Sequence, residues 1–279
     1  MSFLTDSSLI GGFLRAPYFH VKRLVCERNY RTVALLKTIH GPGRRYREKR
    51  IRAFGVFYRV PDVASFLSML DEIYVNRIYE FPTVNDAPLI VDIGANIGVS
   101  VNYFMSRYPH ARIVAYEADP AVFACLQQNV NVHGDRVTLI NQAVWSENTR
   151  LPFVQEGADG GRLAGDGGID VQAVDIRNVL ADKRIDLLKI DIEGAEESVL
   201  PACAGMLDNV ERIFLEYHSR PDRHQRFGEI ADMLNAAGFR LHVQTVSGSR
   251  APFSRVKLNG GFDMQLNIFA WRETAGSAE

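Results

Sequence analysis

Cysteine is scarce in this 279-residue sequence: Cys26, Cys125 and Cys203 are the only three. They are odd in number and far apart, and none belongs to a CxxC pair. That excludes a disulfide framework, a zinc knuckle and a thioredoxin-type redox pair, and leaves reduced structural thiols. No apolar run approaches the roughly 18 residues of a membrane-spanning helix. The apolar residues of Met1 to Leu14 have no basic flank before them, so no secretory signal is expected and the reading is cytoplasmic. No repeat of about 20–50 residues is present, against a solenoid or propeller. The dinucleotide fingerprint G-x-G-x-x-G also fails, because counting from Gly94 the second and third glycines are Asn96 and Val99. A Walker loop fails too, since no G-K-[ST] follows.

What is present is an ordinary globular composition, 47% hydrophobic and 23% charged. The net charge of −1 hides an asymmetry: residues 1–60 carry 13 Lys+Arg against 3 Asp+Glu, and the remainder 19 against 30. The densest run is Arg44, Arg45, Arg47, Lys49, Arg50 and Arg52. It reads either as a solvated basic segment against an acidic body or as a surface for an anionic partner.

The chain divides near Asn85-Asp86-Ala87-Pro88, a turn-rich joint. Before it, Phe19 to Ile39 and Asp62 to Tyr79 are predicted helical, with Val63, Phe66, Leu67, Leu70, Ile73 and Tyr74 at helical spacing, and Phe54 to Val60 reads as a strand. After it, short apolar runs at Leu89–Ile93, Arg112–Tyr116, Val137–Ile140, Leu187–Ile190, Arg212–Leu215, Phe239–Val243 and Met264–Ala270 alternate with helical stretches. These stretches run to about Arg107 and over Pro120–His133, Ala195–Cys203 and Gln225–Ala237. That alternation predicts a parallel sheet with crossover helices, and the last pair, lacking a helix between them, predicts one antiparallel strand. Thr149 to Ile169, rich in Gly and Asp, reads as an inserted hairpin or mobile loop. Ser247 to Gly261 is similarly irregular, and both are candidates for a substrate lid.

Four strand ends carry chemistry. Val91-Asp92-Ile93-Gly94-Ala95-Asn96-Ile97-Gly98 is a strand, a carboxylate and a glycine turn into a helix, where ligands bind in open parallel sheets; the two glycines are expected to let the backbone approach that ligand. In Tyr116-Glu117-Ala118-Asp119-Pro120, Glu117 is placed to take both hydroxyls of a ribose and Asp119 to cap a helix whose first residue is Pro120. Asp191 and Glu193, in Leu188-Lys189-Ile190-Asp191-Ile192-Glu193-Gly194-Ala195-Glu196, suit acid–base work, metal binding or cofactor orientation, while Glu196 and Glu197 are assigned to the positive start of the next helix. His218, in Phe214-Leu215-Glu216-Tyr217-His218-Ser219, is either a base or a satisfied structural residue.

In this order, VDIGANIG, YEADP, NQAVWSE, LLKIDIEGAEESVL and FLEYHS resemble the FkbM family of S-adenosylmethionine-dependent methyltransferases over about residues 85–245. The resemblance implies an α/β class I methyltransferase, Rossmann-like fold, with a seven-stranded, mostly parallel sheet, helices on both faces and the last strand antiparallel. A methyltransferase domain at 85–279 would then follow a basic, mostly helical N-terminal extension at 1–84. It implies S-adenosyl-L-methionine as cofactor, held by Asp92, Gly94, Ala95, Asn96 and Gly98 around its methionine part. Glu117 would hold the ribose hydroxyls, Gln142-Ala143-Val144 would lie along the adenine, Asp191 would border the methyl group and the substrate, and Ala118 would also bind the cofactor. The implied partner is a small acceptor, a hydroxyl of a sugar, polyketide or other metabolite, with a homo-oligomer left open. An alcohol acceptor needs a base; His218 is the first candidate, with Glu193 or Glu216 competing. Asp191, Glu193 and Glu216 would alternatively suit Mg²⁺, but no metal is assigned. Tyr74, Tyr79 and Phe81 are either a cover over the cofactor pocket or core aromatics. A nicotinamide oxidoreductase is disfavoured by the glycine spacing, and a non-catalytic nucleotide-binding protein by the presence of Asp92 and Glu117. A base-methylating nucleic-acid enzyme is disfavoured by the lack of an Asn/Asp-Pro-Pro-Tyr tetrad.

Overall fold

The computed structural model describes residues 20–41, 45–155, 162–163, 168–249 and 251–273. The N-terminal part contains helix α1 (Arg28–His40), a hairpin of β1 (Lys49–Ala53) and β2 (Val56–Val60), and helix α2 (Val63–Leu70). Asp62 starts α2 by accepting the Ser65 N–H at 3.3 Å and its hydroxyl at 2.8 Å. The helical spacing is borne out for Val63, Phe66, Leu67 and Leu70, all buried. The helix expected to reach Tyr79 instead passes into a π-helical turn, Asp71–Val75, and stops near Arg77, whose φ is 55°. Strand β1 is hidden in the sequence by its basic run: Lys49, Arg50 and Arg52 are exposed, and only Ile51 and Ala53 point inward. Arg44 lies outside the described residues.

The central sheet is built from β3 (Leu89–Ile93), β4 (Arg112–Tyr116) and β5 (Val137–Ile140), followed after an insertion by four more strands. The insertion holds β6 (Ala143–Trp145), β7 (Thr149–Val154), β8 (Arg162–Leu163) and β9 (Ile169–Asp175). Then come β10 (Leu187–Ile190), β11 (Arg212–Ser219), β12 (Arg240–Ser247) and β13 (Met264–Trp271). The sheet has seven strands in the order β12-β13-β11-β10-β3-β4-β5, with β13 antiparallel to both neighbours and the other pairs parallel. This is the class I methyltransferase arrangement that the resemblance implies.

Residues alternate between two apolar layers, as pleated strands must. Ile90, Leu187 and Phe214 join one cluster with α3 (Val99–Arg107), α4 (Pro120–Val130) and the N-terminal residues Val33, Tyr58 and Phe66. Val91, Leu188 and Leu215 join the other with α5 (Ile176–Leu180), α6 (Glu196–Val199) and α7 (Phe227–Ala236). The N-terminal part therefore shares one continuous core with a face of the sheet. Among the described residues, no helix is long and apolar enough to cross a membrane.

The Gly- and Asp-rich stretch contributes a hairpin, since β7 pairs antiparallel with both β8 and β9; residues 156–161 and 164–167 of it lie outside the described residues. Strand β9 and helix α5, capped by Asp175, have no counterpart in the sequence reading, which placed no element between 169 and 187. Strand β11 runs four residues past the predicted end because β13 pairs with it as far as Ser219↔Met264. Glu216 and His218 therefore sit within a strand, not after one.

The glycines of the first turn serve the protein's own packing. A Cβ on Gly94 would lie 1.8 Å from the Asp191 carbonyl oxygen, and one on Gly98 2.6 Å from Val130 and 2.7 Å from Leu126. Both have positive φ, 83° and 84°. Gly94 thus permits the close approach of β3 to β10, and Gly98 that of the turn to α4. Gly94→Ala should cost at least about 2 kcal/mol in urea unfolding, from overpacking plus left-handed strain. Gly55→Ala, at φ 87° with open space around it, should cost only about 1 kcal/mol.

Candidate active site

Strand alternation puts Asp92 of β3, Lys189 of β10, and Glu216 and His218 of β11 on the sheet face that the N-terminal part covers. Lys189 and Asp92 are direct partners across the paired strands, with Nζ 3.0 Å from Oδ1. Lys189 also donates to the Gly94 carbonyl at 2.7 Å and stands 3.6 Å from Asp191. Asp92 takes the Ser100 hydroxyl at 2.5 Å on its other oxygen. Burial opposes the ammonium charge, but Asp92 and Asp191 outweigh it and hold the Lys189 pKa above its usual value.

At one end of the site, Asn96 has a left-handed backbone, φ 49°, that aims its N–H at Glu117 Oε2, 2.9 Å away. The Asp119 N–H donates to Glu117 Oε1 at 2.8 Å. Burial pushes the Glu117 carboxyl up to about 7 against these two bonds. Asp119 caps α4, as the sequence predicts, accepting from Ala121 N at 2.8 Å. It also accepts from Gln155 Nε2 at 2.7 Å, just past β7.

At the other end, four carboxylates converge: Glu72, Asp191, Glu193 and Glu216. Glu72 comes from the π-helical turn. Burial, then the charges of Glu216 and Asp191, push its carboxyl up to about 7. Burial likewise raises Glu193 well above the ordinary carboxylate range and raises Glu216. Behind them the His218 ring is 2% exposed, with Nδ1 3.2 Å from Glu196 Oε1 and Nε2 3.5 Å from both Glu193 and Glu216. Burial opposes its charge; Glu196, Glu216 and Glu193 overcome that and hold the imidazole well above 6.5.

Glu196 does more than serve a helix start. Fully buried, it accepts from the Ile192 N–H at 3.1 Å and the Gly194 N–H at 3.0 Å, fixing the loop that carries Glu193. Glu197 instead accepts the Tyr217 hydroxyl at 2.5 Å.

These groups surround a cavity of about 280 Å³. Of the sequence-predicted residues, Gly94, Ala95, Asn96, Glu117, Ala118, Gln142, Ala143, Asp191, Glu193 and Glu216 line it, whereas Asp92, Gly98 and His218 are set back from it. Tyr79 lines it too, 5.9 Å above Lys189, but Tyr74 stacks on Phe54 and Phe81 on Tyr108 instead. Sequence reasoning missed Ser68, Met69 and Glu72 from the N-terminal part, Phe153 from β7, and Val246, Asn259 and Gln265 beside the last two strands. It also missed Lys189, although a lone cation within an otherwise apolar buried strand signals an opposite charge nearby.

Lys189→Met should destabilise the protein by about 3–5 kcal/mol in urea unfolding, because it leaves Asp92 buried without its counter-charge. Glu72 gives the opposite sign. Its folded pKa lies above the unfolded value, so stability falls as pH rises from about 4.5 through 7. Glu72→Gln should therefore raise the melting temperature at pH 8 by about 2–4 °C, a gain of order 1 kcal/mol, and leave it nearly unchanged at pH 4.5.

Residues 92–241, more than half of the chain, match the family model of the methyltransferase FkbM domain. The chain is 28% identical over 203 residues to Methyltransferase 1 of Beauveria bassiana, covering 62% of this chain and 80% of that protein. It is 27% identical over 154 residues to 2-O-methyltransferase NoeI of Sinorhizobium fredii (47% and 63%). It is 27% identical over 216 residues to 31-O-demethyl-FK506 methyltransferase FkbM of Streptomyces tacrolimicus (61% and 80%). Among solved structures, methyltransferase FkbM from Methylobacillus flagellatus superposes with a TM-score of 0.45 at 15% identity, covering 86% of this chain and 59% of that one. The chain belongs to the FkbM family of methyltransferases.

Proposed function

We propose that this methyltransferase uses S-adenosylmethionine and methylates a hydroxyl of a small acceptor, a sugar, polyketide or other metabolite. The observation that carries the reading is Glu117. Two backbone N–H donors fix its carboxylate at the end of β4, with lone pairs left for the two hydroxyls of a ribose. The other lining groups fit the same cofactor: Ala118, Ala143, Val144 and Phe153 offer apolar contact for an adenine and Gln142 an amide. Gly94, Ala95 and Asn96 would border the methionine part, and the carboxylates of the far end suit a positive sulfur. When bound, the cofactor supplies an electrophilic methyl group, which leaves the protein to position the acceptor and take its proton.

We assign the proton to a pocket carboxylate. The acids around His218 hold its imidazole pKa well above 6.5, and the ring is set back from the cavity, so a carboxylate lining the cavity is better placed to take the acceptor's proton. Glu72 faces the cavity, and a pKa near 7 matches a base working at neutral pH. Glu216 is the competing carboxylate, lining the same cavity. Oxygen as the acceptor atom draws support from two similar proteins named as O-methylating enzymes.

Calorimetry with S-adenosylhomocysteine should give one site per chain, weakened at least about tenfold in Glu117→Ala; absence of binding would contradict the cofactor. With radiolabelled S-adenosylmethionine and a panel of hydroxylated acceptors, Glu72→Gln should bind S-adenosylhomocysteine as the parent does yet turn over about 10²- to 10⁴-fold slower. The rise of kcat through pH 7 should vanish with it. An unaltered pH profile in Glu72→Gln and a lost one in Glu216→Gln would move the base to Glu216.

A further inference from the structure

We propose that Asp191, Glu193 and His218 form a site for one divalent cation of intermediate hardness, Mn²⁺ or Zn²⁺, at the acid end of the cavity. One donor atom from each residue lies within 4.8 Å of the others. An ion with ligand bonds of about 2.0–2.2 Å holds neighbouring donors roughly 3 Å apart and opposite donors roughly 4.3 Å apart, so small side-chain shifts close the set around it.

Acids clustered in a pocket have other uses; His218 is the independent observation. Its ring is 2% exposed, and Nε2 reaches no hydrogen-bond partner. That nitrogen faces the acids, with Glu193 Oε2 and Glu216 Oε1 each 3.5 Å away. The other ring nitrogen, Nδ1, is engaged by Glu196 at 3.2 Å, and Glu196 is itself locked by the Ile192 and Gly194 N–H groups. A buried carboxylate that orients an imidazole so that its far nitrogen points at further carboxylates is the arrangement that supports histidine as a metal ligand. Glu193 is aimed by a left-handed backbone, φ 54°, within the loop that Glu196 fixes. The Phe262 ring, 4.7 Å from the imidazole, packs against it. Lys189 is the nearby opposing charge, 3.0 Å from Asp92 and 3.6 Å from Asp191, so Glu193 lies beyond its ion pairs.

One imidazole nitrogen with two carboxylates favours Mn²⁺ or Zn²⁺ over Mg²⁺, which prefers oxygen alone. Binding exchanges a proton on Nε2 for the ion, and that proton leaves to solvent. Asp191 and Glu193 line the cavity, so an open coordination position there would face an acceptor oxygen. The site is independent of the cofactor reading, because it is measured on the resting protein.

The test uses the full chain, stripped with chelator and titrated with MnCl₂ while the signal of free Mn²⁺ is followed by electron paramagnetic resonance, and with ZnCl₂ by calorimetry. The expected result is one ion per chain, with affinity at least tenfold weaker in Glu193→Gln and in His218→Ala and unchanged in Asp222→Asn, an exposed surface acid. Circular dichroism and thermal unfolding establish that the variants are folded. Should His218→Ala fail to fold, the parent protein decides the matter: echo modulation from a coordinated imidazole nitrogen in the Mn²⁺ complex is expected. No bound ion, binding that survives Glu193→Gln, or a Mn²⁺ complex without nitrogen coupling would overturn the proposal.

Discussion

The site rests on a buried ion pair between the two central strands. Lys189 of β10 and Asp92 of β3 are register partners, both almost fully buried, and they meet at 3.0 Å. Removing two charges from water is costly, and their attraction offsets this only with good geometry and satisfied remaining valences. Here Ser100 completes Asp92, and the Gly94 carbonyl with the Asp191 carboxylate completes Lys189. The pair thus ties the first glycine turn to the end of β10, the two segments that form the floor of the cavity. Gly94 tightens the same joint by letting the two segments approach within contact of backbone.

The second constraint is the cover. The N-terminal part packs its apolar residues onto the sheet face that carries Asp92, Lys189, Glu216 and His218, and of these Asp92, Lys189 and His218 are buried. Their low-dielectric surroundings raise the carboxyls of Glu72, Glu193 and Glu216. Four carboxyl groups, those of Glu72, Asp191, Glu193 and Glu216, line this enclosure. That electrostatic character links the proposed sulfonium cofactor and the proposed cation, which would occupy neighbouring parts of one cavity.

Much of this architecture was legible in the sequence. Short apolar runs alternating with helical stretches gave the parallel sheet, and the missing helix before the last run gave the antiparallel strand. The acid at each strand end located the rim, because ligands bind beyond the carboxyl ends of strands. What stayed hidden depends on long-range pairing. Glu72 reads as an ordinary helix residue until α2 passes into a π-helical turn at the mouth of the cavity. The placement of His218 depends on β11 extending through pairing with β13, and its role on Glu196, 22 residues earlier. Phe153 sits in a segment whose composition reads as loop, and it becomes part of the wall because β7 pairs with β9.

The central claim is that the rim from Glu117 to Asp191, braced by the Lys189–Asp92 pair, is preset to hold a sulfur nucleoside. A crystal structure of the chain grown with S-adenosylhomocysteine tests it most directly. The account predicts the ribose hydroxyls on Glu117 and the sulfur turned toward Asp191 and Glu72, with Lys189 and Asp92 unmoved. A nucleoside bound elsewhere, or one in the cavity with its ribose away from Glu117, would contradict it.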